Sequence, residues 1–307
     1  MTRCEDPRAP NLFIIGASKC GSSALHRYLS YHPDICMSAI KEPCYFVDQS
    51  HLHEAWPIMA RHPQSHDLDA YLSMFELGAP LAYRGEASVY YSQSPIRRGC
   101  AKRIHSFSPD AKLIYIVKNP IDRTIAHFWQ RSKEFQELLP MSRAIREVPL
   151  YRDTSDYELQ LNEYLKFFDL SQIQILDAED LRWKRTETLS ALFTWLGLPN
   201  FEYTPEQLTE RHVSPPTSRT QRFPFVRAIR DSGVWASARP LVPDVVRKAL
   251  SSAGTKTIDK SSIDETDTRN WLQDYFEPRI EAFERTVNLR FSHWKQDASR
   301  NMQVESA

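Results

Sequence analysis

The residues with the clearest chemical potential lie in NLFIIGASKCGSSAL, positions 11 to 25. An apolar run ends at Gly16, a short loop carries Lys19 and Cys20, Gly21 closes the loop, and Ser22, Ser23 and Ala24 open a helical stretch. Backbone N–H groups of such a loop and of the helix start converge on one point, and the helix dipole favours an anion there. The spacing of Gly16 and Gly21 is that of a nucleotide phosphate loop, yet Ser22 and Ser23 stand where Lys and Ser/Thr would follow the second glycine. The lysine sits inside the loop instead. In triphosphate enzymes the lysine after the glycine reaches the β- and γ-phosphates and the next hydroxyl holds Mg²⁺. An ammonium at Lys19 suits a shorter phosphosulfate, where it offsets charge growing on one bridging oxygen. The apolar run Leu113 to Val117 ends in Lys118, where a triphosphatase would carry a metal-binding aspartate, so no metal is expected.

Lys118 opens a second basic element, KNPIDRTIAHFWQ. Asn119 caps a helix, Pro120 occupies its first position, and Asp122 falls in the first turn. An acceptor hydroxyl or amine must lose a proton as it attacks, which requires a carboxylate or imidazole within reach. Glu42, beside Lys41 after the second expected strand, is the first candidate. His127 is the second, although an imidazole between Ala126 and Phe128 is more often a packing residue. Glu86 and Ser88 in GEASVYY border the same expected pocket as substrate-binding residues, together with Lys41. His51, His53, His62 and His66 lack the spacing of metal ligands and read as a surface segment.

These residues need a scaffold that brings strand ends together. Short β-branched runs alternate with amphipathic stretches, which predicts an α/β fold: a mostly parallel sheet flanked by helices, in one domain over 11–296 with a helical C-terminal extension, a tail at 1–10 and a polar tail at 297–307. Strands are expected at 11–15, 34–40, 83–86, 112–117 and 172–176. Helices are expected at 22–31, 67–77, 94–107, from 120, at 156–168 and at 185–196. A last helix carries Leu272, Phe276, Ile280, Phe283 and Val287 on one face, with a kink or break at Pro278.

Among 307 residues, 39 basic and 39 acidic side chains cancel, so no net field points to nucleic acid. No apolar stretch approaches the ~20 residues of a membrane span. The five cysteines, all in the first third, read as thiols. With no apolar leader visible, a cytoplasmic location is expected.

The loop and the Lys118 element together resemble the PAPS-dependent sulfotransferases, in particular the bacterial and carbohydrate-type members, which use 3′-phosphoadenosine 5′-phosphosulfate (PAPS) as sulfuryl donor. KEPCYF, GEASVYY, QILDAEDL and FTWLGLP extend the resemblance over most of the chain. It implies a P-loop-like fold, sulfuryl transfer to a hydroxyl or amine of a small-molecule or carbohydrate acceptor, and adenosine 3′,5′-bisphosphate as product. It also implies that Lys19, Cys20, Gly21, Ser22, Ser23 and Ala24 hold the 5′-phosphosulfate, that Lys118, Arg123 and Ala126 lie by the 3′-phosphate, and that Glu42 is the general base. Two positions depart from the family pattern: Lys118 replaces an arginine and Ala126 a serine. Thr124, Arg219 or Arg222 is expected to supply the missing donor, and the expected partners include a second copy of the chain in a homodimer.

Overall fold

The computed structural model describes residues 2–134, 137–209, 217–221 and 255–294. Its centre is a five-stranded sheet: β1 (Leu12–Gly16), β2 (Ile35–Met37), β3 (Tyr83–Ala87), β4 (Lys112–Val117) and β5 (Ile173–Asp177). The order across the sheet is β2-β3-β1-β4-β5 and every pair is parallel. Parallel strands need crossovers, so helices cover the faces and the inner strands are apolar on both sides. Leu113 to Val117 are wholly buried, as are Leu12 to Ile14.

The helices, in chain order, are α1 (Ser22–Leu29), α2 (Gln49–Ala55), α3 (Pro57–Ala60), α4 (Leu68–Ser73), α5 (Cys100–Phe107), α6 (Pro120–Lys133), α7 (Met141–Glu147), α8 (Pro149–Asp153), α9 (Tyr157–Leu165), α10 (Ala178–Trp183), α11 (Arg185–Leu196) and α12 (Thr266–Val287). A two-stranded antiparallel ribbon joins β6 (Thr217–Gln221) to β7 (Thr255–Asp259). Among the described residues no helix is long and apolar enough to cross a membrane.

Three expectations from sequence change. The second strand keeps only three of seven expected residues, because Ser38 turns its hydroxyl onto the Ile40 carbonyl at 2.9 Å and ends the ladder. The helix expected from residue 94 begins at Cys100, after Pro95 and a left-handed Gly99 (φ 85°). Finally, α12 runs through Pro278 without a break. Asp274, whose carbonyl loses its helical partner there, is exposed, so water can satisfy it.

Because all five strands point the same way, the loops after them share one edge of the sheet. That edge is where open α/β folds bind ligands, and here the strand order reverses beside β1.

Candidate active site

A cleft of about 880 Å³ opens at this edge. Every strand end contributes to it: Ser18 to Ala24 after β1, Lys41 and Glu42 after β2, Val89 after β3, Lys118 after β4, and Ala178 and Glu179 after β5.

The loop after β1 has the shape of an anion nest. Gly16 adopts φ 147°, and a Cβ there would lie 1.9 Å from Ser92 Oγ, so no other residue fits. Lys19 (φ 69°) and Gly21 (φ 97°) are both left-handed. Ala17 N–H is bonded to the Ile116 carbonyl at 2.7 Å, fixing the loop to β4, whereas the amides of Lys19, Gly21, Ser22 and Ser23 have no acceptor among the described residues. Open, convergent amides at a helix start are what an anion needs. The Lys19 side chain is half-buried, lines the cleft, and has no hydrogen bond or ion pair among the described residues. Burial, then the neighbouring Lys118 ammonium, pull its pKa below the ordinary lysine value. A counter-anion bound between the two would favour both charged forms and so offset these effects.

Lys118 is set at the cleft by its backbone. Tyr157 Oη donates to the Lys118 carbonyl at 2.7 Å and lies 3.9 Å from Cys20 Sγ, joining the two basic elements. The Cys20 thiol is 1% exposed and burial raises its pKa, so the residue lends the cleft its backbone more than its sulfur.

On the opposite wall, Lys41 Nζ is ion-paired with Glu42 Oε1. Glu42 Oε2 accepts the Val89 amide at 2.8 Å, and the Glu42 amide donates to the Ala87 carbonyl at 2.9 Å. Both residues face the cleft. This is a fixed pair, unlike a solvated one: their side chains are only 24% and 14% exposed.

Other expected site residues lie behind the cleft. Arg123 is completely buried, and all five of its N–H groups are used: on the Ser18 carbonyl (3.1 Å) and hydroxyl, the Tyr151 carbonyl (3.2 Å), Ser155 Oγ (3.1 Å) and His127 Nδ1 (2.9 Å). It braces the loop and has no donor left for a phosphate. Thr124 is likewise consumed, donating to the Pro120 carbonyl at 2.7 Å. His127 does not line the cleft; burial and the Arg123 guanidinium hold its pKa well below the ordinary value, so it accepts from Arg123 as a neutral ring. Glu86 and Ser88 are 0% exposed and support the wall without lining it. Ala126 is also absent from the lining. Arg219 contributes backbone to β6, but its side chain, like all of Arg222, lies outside the described residues.

Sequence reasoning missed Arg27, Tyr28, Gln130, Arg182 and Arg185, all of which line the cleft. Two had a helical signal, since Arg27 falls four residues after Ser23 and Gln130 four after Ala126. The arginines of α10 and α11 had none. The His51–His66 stretch falls on α2, α3 and the turn after them, and among the described residues no three His, Cys, Asp or Glu side chains converge as metal ligands would.

A parallel sheet with an anion nest at its reversal point and a basic second strand end defines a class of α/β fold that binds anionic ligands at the carboxyl edge of its sheet. A model of the sulfotransferase family matches residues 10–203, and the chain belongs to that family. A sulfotransferase from Alicyclobacillus acidocaldarius superposes with a TM-score of 0.63 at 25% identity, covering 93% of this chain and 98% of that one. The mouse heparan sulfate glucosamine 3-O-sulfotransferase 6 is 25% identical over 265 residues, 80% of this chain and 68% of the mouse protein. The bifunctional heparan sulfate N-deacetylase/N-sulfotransferase 1 of Caenorhabditis briggsae is 26% identical over 223 residues, 65% of this chain. The chain spans about a quarter of that relative, 24% of its length.

Proposed function

We propose that this protein transfers the sulfuryl group of PAPS to a hydroxyl or amine of a carbohydrate or other small-molecule acceptor, without a metal ion. The observation that carries this reading is the Lys19 ammonium, set in a nest of open amides beside Lys118 and without an ion pair among the described residues. The residues fit the donor: the amides of Lys19, Gly21, Ser22 and Ser23 would hold the phosphosulfate, and Lys118 would meet its second phosphate. When bound, PAPS supplies an activated sulfuryl group on a phosphate leaving group. Lys19 offsets the charge that grows on that phosphate, the role a metal would otherwise take. Glu42, held by Lys41 at Oε1 and by the Val89 amide at Oε2, receives the acceptor's proton. A carbohydrate acceptor is favoured by the heparan sulfate enzymes among the relatives.

Thermal unfolding with ligands tests the reading. A ligand at 100 times its Kd stabilises by ~2.7 kcal/mol. Adenosine 3′,5′-bisphosphate in the presence of EDTA should raise the Tm, and Mg·ATP should not. Stabilisation by Mg·ATP alone would instead make the protein a triphosphate enzyme, and binding without transfer to any acceptor would make it a non-catalytic relative. Glu42→Gln should keep donor binding and lose turnover.

A further inference from the structure

The turn that carries Lys41 and Glu42 has an improbable backbone. Glu42 (φ 62°) and Cys44 (φ 58°) are both left-handed without being glycine, on either side of Pro43. Such a residue costs roughly 1–2 kcal/mol, and the surroundings must over-determine it if it is to persist. Two amides of this turn are buried and find no backbone acceptor: Cys44 N–H donates to Ser88 Oγ at 3.1 Å, and Phe46 N–H to Tyr91 Oη at 3.4 Å. Each hydroxyl passes the bond on to the same carboxylate. Ser88 Oγ donates to Glu86 Oε2 at 2.7 Å, and Tyr91 Oη donates to Glu86 Oε1 at 2.6 Å. Tyr71 Oη adds a third bond to Oε1 at 2.8 Å, and its ring stacks on Tyr45 of the turn at 4.2 Å.

We infer that Glu86 is a positioning residue that holds the Lys41–Phe46 turn, and with it Glu42, in working geometry through two hydroxyl relays. The inference rests on the reading of Glu42 as general base. Glu86 touches no cleft space itself. All three of its hydroxyl neighbours donate, so the arrangement calls for the acceptor-only, ionised carboxylate. A protonated Glu86 must donate from one oxygen, and one relay then loses its acceptor. No cation pairs with Glu86 among the described residues; the charged group beside it is Glu42, while Tyr71, Tyr91 and Cys44 face it as neutral side chains. Burial raises its pKa to about 7, which places the switch in an accessible pH range.

Two variants test this. Glu86→Gln keeps the shape but supplies a donor where Ser88 needs an acceptor; Ser88→Ala removes one relay and leaves the carboxylate and both tyrosines in place. Hydrogen exchange should rise at least tenfold in the 41–47 peptide of each variant and stay unchanged in the 16–23 loop. Release of adenosine 3′,5′-bisphosphate from PAPS, with N-desulfated heparan sulfate chains and with water alone as acceptor, should fall tenfold or more in kcat, while affinity for adenosine 3′,5′-bisphosphate changes less than twofold. The acid limb of the wild-type pH profile near 7 should be absent in Glu86→Gln. Unchanged exchange at 41–47 in Ser88→Ala overturns the inference, even where Glu86→Gln does not fold. Glu42→Gln run in parallel separates the two claims. If it abolishes turnover while both other variants stay normal, only the positioning role falls; if it turns over normally, the base assignment falls, and the exchange data still decide what Glu86 does.

Discussion

The two loops that face each other across the cleft are both pinned by a fully buried charge, and the charges have opposite sign. Behind the 16–23 loop stands the Arg123 guanidinium, donating five hydrogen bonds to neutral acceptors. Behind the 41–46 turn stands the Glu86 carboxylate, accepting three from neutral hydroxyls. Neither has an ion-pair partner among the described residues, although burying an unpaired charge costs several kcal/mol unless hydrogen bonds replace its hydration. The cation lies behind amides that await an anion, so its field favours the proposed donor. The contrast is in titration. Guanidinium stays protonated even where burial pulls its pKa down, whereas a buried carboxyl near 7 changes state within the working range. Glu86 thereby makes the wall that carries Glu42 sensitive to pH, whereas Arg123 keeps its charge.

Removing the buried cation should have the largest effect. Arg123→Met removes the donors that hold the Ser18 carbonyl and hydroxyl and His127 Nδ1, and should cost about 4 kcal/mol of stability in urea unfolding. A loss under about 1 kcal/mol would show that the guanidinium does not fix the loop. Lys19→Ala should show the reverse pattern. Its side chain holds nothing together, so stability should change little, while turnover drops 10²–10³-fold, about 2.7–4 kcal/mol of transition-state stabilisation.

Glu86→Gln sharpens the contrast through pH. The folded-state pKa of about 7 lies above the ordinary 4.5, so the folded chain holds its proton more tightly than the unfolded one. The stability this contributes is complete below about pH 4.5 and is lost as pH rises through 7, which amounts to roughly 3 kcal/mol. Gln is neutral throughout. The stability of Glu86→Gln relative to the natural protein should therefore improve by ~2–3 kcal/mol between pH 5 and pH 8, read from urea midpoints at each pH. A difference that does not vary with pH would mean that Glu86 titrates normally and that the two walls are alike.

The strands and the anion loop were legible because their signals are local. Leu113 to Val117 is an apolar run bounded by a helix cap, and Gly16, Lys19 and Gly21 announce a nest by spacing alone. The errors arose where a distant partner decides. Ser38 ends β2 by a side-chain bond, and Pro278 is tolerated because Asp274 is exposed to solvent. Arg123 was placed by the 3′-phosphate through the family resemblance; only the fold reveals that its helical phase, shared with His127, points at Ser18 and Ser155. Glu86 was similarly hidden, since nothing within GEASVYY says that Tyr71, fifteen residues earlier, closes over it.

The smallest change concerns the cleft's own cations. Lys118 stands where the resemblance to the family implies an arginine, and Tyr157 clasps its backbone, so a longer side chain would start from the same fixed point. A guanidinium presents two parallel donors to a phosphate, and an ammonium only a point charge. Lys118→Arg should tighten adenosine 3′,5′-bisphosphate binding by about 1 kcal/mol, roughly fivefold in Kd by calorimetry, with stability unchanged. Unchanged or weaker binding would mean that the second phosphate does not reach Lys118, and that the cations of the far rim, Arg27, Arg182 and Arg185, are the ones to examine for it.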